Sequence, residues 1–264
     1  MPTVKDNDTS GRDFYDGIYR QDLESEARWL GFAAAQKTRS IEQLLKRNGI
    51  KPASLLELGC GTGAVIMECQ RRGLASDFTA IDYSKDAVNY LRNHSQGIDC
   101  LAADISDPTF ELDRSFDVVV LSHVLEHLEE PVDFLNSLIG KVRFRYLVAE
   151  VPLEDLPALR LKNRFRERLH NRAGHVQFFT EDSFRSLLSR TPLKAIDSRT
   201  YAPVFSTEAV RFVTKRDGES GLRAVARMGT ARYLPMFLQP LWTRFYYAHF
   251  AVLCSVASGN ETGI

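Results

Sequence analysis

The sequence has little cysteine and no metal-binding spacing. Its 264 residues include four cysteines, Cys60, Cys69, Cys100 and Cys254, with no CxxC pair and no Cys/His cluster at zinc-ligand intervals. Free thiols in a reducing cytoplasm, and no metal centre, are therefore expected. Charge of one sign is not in excess either: 34 Lys and Arg stand against 34 Asp and Glu. That balance argues against a general nucleic-acid binder, which carries a basic surplus. The first ten residues are polar, so no signal peptide is expected. Long apolar runs are missing as well. The most apolar stretch, residues 233–257, is broken by Pro235, Pro240, Arg244 and His249. A membrane-spanning helix needs about 20 apolar residues in a row. There is no internal repeat and no low-complexity segment.

What is present suits one α/β domain with a cap or lid. Hydrophobic residues make up 44% and charged residues 26%, and the length supports a substantial core. Residues 22–29 and 32–47 have helical patterns, closed by Asn48-Gly49 and Pro52. From residue 54 the pattern changes. Short β-rich runs at 54–58, 78–81, 98–102, 116–121 and 144–151 alternate with helical segments at 62–72, 85–93 and 131–139. Such alternation predicts βαβ units and a parallel sheet with helices on both faces. Ligands bind such sheets beyond the C-terminal strand ends. Gly59, Asp82, Asp104 and the pair Ser122-His123 all fall there. Further on, a helix over 180–188 capped by Thr180, a strand over 193–201, an irregular to helical region over 205–239 and a last strand over 246–255 are expected.

The run Glu57-Leu58-Gly59-Cys60-Gly61-Thr62-Gly63 joins the first strand to a helix. Glycines let the backbone turn sharply and approach a ligand, and the helix start offers unpaired N–H groups. The spacing is G-x-G-x-G, not the G-x-G-x-x-G that grips a pyrophosphate. An acid two residues before the first glycine suits a ligand with a cationic amino group. Asp82 can accept both hydroxyls of a ribose, and Asp104 can accept from an adenine amino group. A tight turn without a ligand and simple loop acids are the bland alternatives. Histidine titrates near neutrality and is the natural proton acceptor. His123, just past a strand end, and His175, before Phe178-Phe179, are the candidates; His127 reads as packing at a helix start.

The fourth strand continues as Ser122-His123-Val124-Leu125-Glu126-His127. With Leu-Glu-Leu-Gly-Cys-Gly-Thr-Gly, Ile81-Asp82-Tyr83-Ser84, Ala103-Asp104-Ile105 and the later Gly174-His175-Val176-Gln177-Phe178-Phe179-Thr180, it resembles the class I S-adenosylmethionine-dependent methyltransferases. The closest likeness is to the small-molecule group with a Val-Leu-Glu-His motif after strand four. The resemblance implies a Rossmann-like, seven-stranded, mostly parallel sheet, with a helical lid over residues 1–50. The catalytic domain would then span 51–264, with a variable substrate cap at about 153–245. It implies S-adenosylmethionine as cofactor and S-adenosylhomocysteine as product. Glu57, Gly59, Cys60 and Gly61 would face the methionine moiety. Asp82 would hold the ribose, Tyr83 and Ser84 would lie by the nucleoside, Asp104 and Ile105 would meet the adenine edge, and Ser122 would lie beside the methionine end. Tyr15 and Tyr19 are lid candidates. A NAD-dependent oxidoreductase and a non-catalytic binding module are the alternatives.

Between residues 160 and 232 sixteen basic residues face seven acidic ones. The densest part, 160–172, fits a solvated amphipathic helix with Leu161, Phe165 and Leu169 inward. It equally fits a clamp for an anionic acceptor, such as a phosphorylated sugar, or a peripheral surface for anionic lipid heads. Methyl transfer to a small-molecule acceptor is expected, with oxygen favoured, in glycan or natural-product biosynthesis.

Overall fold

The computed structural model describes residues 11–157 and 174–256, with side chains from residue 22 onward. The basic stretch 160–172 and the side chains of Tyr15 and Tyr19 lie outside the described residues. Helix α1 (Gly11–Arg47) leads into strand β1 (Ser54–Leu58), α2 (Ala64–Arg71), β2 (Asp77–Asp82), α3 (Lys85–His94), β3 (Ile98–Ala102) and β4 (Leu112–Ser122). A 3-10 turn (Leu125–His127) then precedes α4 (Pro131–Lys141) and β5 (Val142–Leu153). The second half holds α5 (Glu181–Leu188), β6 (Leu193–Tyr201), α6 (Thr207–Arg216), α7 (Gly221–Met228), a π-helical turn (Gly229–Tyr233), α8 (Leu234–Phe237), α9 (Gln239–Phe245) and β7 (Ala248–Val256).

The seven strands form one sheet in the order β3-β2-β1-β4-β5-β7-β6. All neighbours are parallel except β7, which runs antiparallel to both β5 and β6. β4 shows why the sheet is covered on both sides. Val119 and Leu121 point into one core with Leu135 and Leu138 of α4 and Phe184 of α5. Val118 and Val120 point into the other, with Leu44 of α1, Ile66 of α2 and Leu91 of α3. Alternation at period two along a strand sends successive side chains to opposite faces.

The two helices expected at the N-terminus are joined. α1 is continuous apart from Asp22, whose φ of −159° and ψ of 69° break the helical geometry. Asp22 Oδ1 accepts the Ser25 N–H at 3.1 Å, so this acid caps the second half. Ile41 and Leu44 of that half are buried in the sheet's core. β4 and β5 begin earlier than the β-branched pattern indicates, at Leu112 and Val142, because pairing extends into their polar first halves. His127 ends a 3-10 turn rather than starting a helix. The region over 205–239 is largely helical.

Candidate active site

The C-terminal ends of β1, β2 and β4 and the glycine loop form the first half of the site. Gly59, Gly61 and Gly63 all have positive φ, at 69°, 53° and 80°. A Cβ on Gly59 would lie 2.6 Å from Val124 Cγ2, and one on Gly63 would lie 2.3 Å from Leu91 Cδ1. The loop is thus wrapped against its neighbours in a shape open to glycine alone. Asp82 ends β2 and braces it: Oδ2 accepts the Gly61 N–H at 2.7 Å and Oδ1 the Ser84 N–H at 2.9 Å. A carboxylate oxygen can accept more than one donor, so these bonds are compatible with a ligand hydroxyl at the same group. The Ser84 hydroxyl accepts the Ala87 N–H at 3.3 Å, so this residue is first of all the α3 cap. Cys60 is buried beside Glu57 and Asp82, and burial pushes its thiol up.

Glu57 is buried at the end of β1, and its Oε2 has no hydrogen-bond partner among the described residues. Burial raises its carboxyl to about 8, against the pull of the Lys37 ammonium and the Ile66 N–H. A buried carboxyl with an orphaned oxygen fits a cationic ligand group. Ser122 Oγ is also buried without a partner among the described residues. Asp104 and Ile105 follow β3 on a loop, where Asp104 Oδ1 accepts the Ser106 N–H at 2.9 Å. Tyr83 directly follows Asp82 at the same sheet edge.

The second half lies beyond β4, β5, β7 and β6. His123 follows β4 with φ of 61°, a left-handed conformation that costs a non-glycine residue energy. Its Nδ1 is 3.2 Å from Glu126 Oε1, and its Nε2 is 3.2 Å from His249 Nδ1 and 3.5 Å from Glu150 Oε1. His249 Nδ1 is 3.1 Å from Glu150 Oε1, and the Tyr201 hydroxyl donates to that same oxygen at 3.0 Å. Burial, aided by the charge of His123, lowers His249 to about 4, so its ring is neutral near pH 7. Burial would raise Glu126, but His123, His127 and His175 together hold the carboxyl at about 2. Glu150 is likewise held below the carboxylate range by His123 and His249 despite its burial.

His175 lies beside Glu126 together with His127, their ligand atoms within 4.8 Å of one another. Its Nδ1 is 2.6 Å from Glu154 Oε2, and its ring meets that of His127 edge-on at 4.8 Å. Backbone bonds from Val176 and Gln177 to the Glu126 carbonyl hold this loop against the 3-10 turn. Burial opposes protonation of His175, but the contact with Glu154 wins and raises its pKa. Lys37 of α1 joins the two halves. Its charge acts on Glu57, Glu126 and Glu150, while burial lowers its own pKa.

The structure thus gathers Glu57, the glycines, Asp82, Ser122, His123 and His175 at one sheet edge. Lys37, Glu150, Glu154, Tyr201 and Tyr247 join this edge with no local motif in the sequence to mark them. Two signals were available: Glu150 is an acid inside the apolar strand Leu147-Val148-Ala149-Glu150-Val151, and His249 interrupts an equally apolar one.

A family model described as a methyltransferase domain matches residues 29–197. The mitochondrial ubiquinone biosynthesis O-methyltransferase of Schizosaccharomyces pombe is 35% identical over 107 residues, spanning 39% of this chain and 38% of that protein. The malonyl-[acyl-carrier protein] O-methyltransferase of Geobacter sulfurreducens is 27% identical over 218 residues, covering 78% and 77%. The plantazolicin methyltransferase BpumL, solved with a triazolic desmethylPZN analog and SAH, superposes with a TM-score of 0.54 at 16% identity, over 93% of this chain and 94% of that one. The last likeness concerns the fold.

Proposed function

The chain belongs to the methyltransferase-domain family, and on that premise we propose that it methylates a hydroxyl oxygen of a small-molecule acceptor. S-adenosylmethionine is the cofactor and S-adenosylhomocysteine the product of the family's reaction. When bound, the cofactor supplies an electrophilic methyl group on a sulfonium. The residues fit it. Glu57 would receive its ammonium, Asp82 its ribose and Asp104 with Ile105 its adenine edge, while Ser122 would lie beside the methionine end. Gly59, Cys60 and Gly61 would give the backbone surface against it, with Tyr83 and Ser84 by the nucleoside. The residues up to 50 would act as a lid carrying Tyr15 and Tyr19, and residues 153–245 as the substrate cap.

The choice of oxygen rests on one observation, the His175–Glu154 pair at 2.6 Å. An alcohol must lose its proton as it attacks the methyl carbon, and a weakly acidic acceptor needs a base for this. With Nδ1–H donating to Glu154, the other ring nitrogen is the basic atom, oriented and strengthened by the carboxylate. The names of the two relatives above, both O-methyltransferases, favour oxygen as well. An anionic acceptor is favoured by the basic excess of residues 160–232. A sugar-containing one in glycan or natural-product biosynthesis is favoured by the resemblance of Val151-Pro152-Leu153-Glu154 and Gly174–Thr180 to methyltransferases of glycan biosynthesis. The test is labelled S-adenosylmethionine with a panel of phosphorylated sugars and acidic lipids. With a turned-over acceptor in hand, His175→Ala should lose about 100-fold or more in kcat with cofactor affinity kept. Full activity of that variant would remove His175 from the base role.

A peripheral membrane contact is proposed for residues 221–245. They hold four arginines and no acid. Leu222 and Phe237 are 86% and 73% exposed, and Val225, Met236, Leu241 and Phe245 are exposed too. Apolar side chains beside arginines suit an anionic lipid surface. No helix among the described residues is long and apolar enough to cross a membrane.

A further inference from the structure

We propose that His123, Glu150 and His249 form a divalent-metal site of the zinc type at the acceptor end of the sheet. This goes beyond the methyl-transfer reading and does not depend on which acceptor is used.

The geometry is that of a ligand cage. His123 Nε2, His249 Nδ1 and Glu150 Oε1 are 3.2, 3.1 and 3.5 Å apart. The Tyr201 hydroxyl adds a fourth corner, 3.0 Å from Glu150 Oε1 and 3.2 Å from His249 Nδ1. Zinc bonds of about 2.0–2.1 Å in a tetrahedron put neighbouring ligand atoms about 3.3 Å apart. Five edges of the cage, at 3.0 to 3.5 Å, lie close to that spacing.

Hydrogen bonds alone account for these contacts poorly. His249 Nδ1 faces three polar atoms, His123 Nε2, Glu150 Oε1 and Tyr201 Oη. A ring nitrogen offers one hydrogen or one lone pair, so it satisfies one of them well. Glu150 Oε1 carries three close neighbours while Oε2 has no partner among the described residues. A cation at the centre would be met by lone pairs from every corner.

The outer contacts agree. If His123 binds through Nε2, its Nδ1 is left 3.2 Å from Glu126 Oε1, a carboxylate near the second nitrogen. If His249 binds through Nδ1, its Nε2–H points at the Tyr247 hydroxyl, 3.2 Å away. Metal-bound histidines are held in this way by a carboxylate or other acceptor on the second nitrogen. The strained φ of His123 is then the conformation that turns its ring toward β5 and β7. Two imidazoles and one carboxylate favour a zinc-type ion over magnesium or calcium, which prefer oxygen ligands. Such an ion would act as a Lewis acid at the acceptor end and make His123 a ligand, leaving proton transfer to His175.

A second group, Glu126, His127 and His175, also has ligand atoms close together. His249 belongs to the first group alone and decides between them. The experiment is zinc and cobalt titration of the untagged, chelator-stripped full chain, followed by metal analysis, visible spectra of the cobalt form and thermal shift. One zinc per chain and a tetrahedral cobalt spectrum are expected. His249→Asn should weaken binding by more than the roughly 10–100-fold that loss of an outer-shell partner costs. His123→Asn should do the same and tolerates the left-handed backbone, so it serves if the buried variant does not fold. His175→Asn should leave zinc affinity unchanged. The proposal fails if no stoichiometric zinc binds, if folded His123→Asn and His249→Asn bind as the parent does, or if affinity follows His175 instead of His249.

Discussion

Single residues divide into those with local signals and those without. Glu57, Gly59, Gly61 and Asp82 could be read from the sequence because each sits at a strand end with its turn chemistry beside it. Glu150 and His249 could not be joined that way, since they are 99 positions apart and meet through sheet pairing. Lys37 was hidden for another reason: one lysine on a helix of mixed polarity carries no mark of the face it presents. Asp82 is the residue to test first. It braces Gly61 and is proposed to hold the ribose, so Asp82→Ala is expected to weaken S-adenosylhomocysteine binding severalfold or more. Calorimetry on the folded variant measures this, and unchanged affinity would take the ribose away from Asp82.

Elements were more legible than their edges. Helix α5 was expected from Thr180 onward, and the structure shows a full capping box: Thr180 Oγ1 accepts the Ser183 N–H at 3.1 Å and Ser183 Oγ accepts the Thr180 N–H at 2.9 Å. Thr180→Ala should therefore cost about 1 kcal/mol in urea unfolding, and Thr180→Ser much less. The starts of β4 and β5 escaped the sequence pattern because polar and charged residues alternate there with Leu112, Val142 and Phe144, so the runs are not continuously apolar although they pair as strand. Strand order was beyond reach too. Nothing local to residues 248–256 says that this strand lies between β5 and β6.

For the whole molecule, the buried acid Glu57 sets a pH dependence of stability. Its folded pKa of about 8 lies above the ordinary unfolded value of about 4.3. The folded state therefore holds this proton more tightly, and that contribution is complete below about pH 4.3 and lost as pH rises through 8. The melting temperature of the cofactor-free protein should carry a downward component across that window, and Glu57→Gln should flatten it. An identical slope in the variant would assign the titration elsewhere. The exposed apolar residues of α7 to α9 call for a second measurement at this scale. Co-sedimentation should be stronger with phosphatidylserine vesicles than with phosphatidylcholine and should fall with salt and with Phe237→Ser. Retention by neither vesicle would dismiss the lipid surface.

β7 also imposes an order on synthesis. A chain leaves the ribosome from its N-terminus, and early units fold first. β1, β2, β3 and β4 can pair as they emerge, so the strand ends carrying the glycine loop and Asp82 take shape early. β5 and β6 emerge well before the strand that separates them, so β5 keeps one edge open and β6 has no strand to pair with until residues 248–256 arrive. Those residues carry His249. The His123–Glu150–His249–Tyr201 cluster is thus the last part of this sheet end to be assembled, completed by the insertion of a single strand.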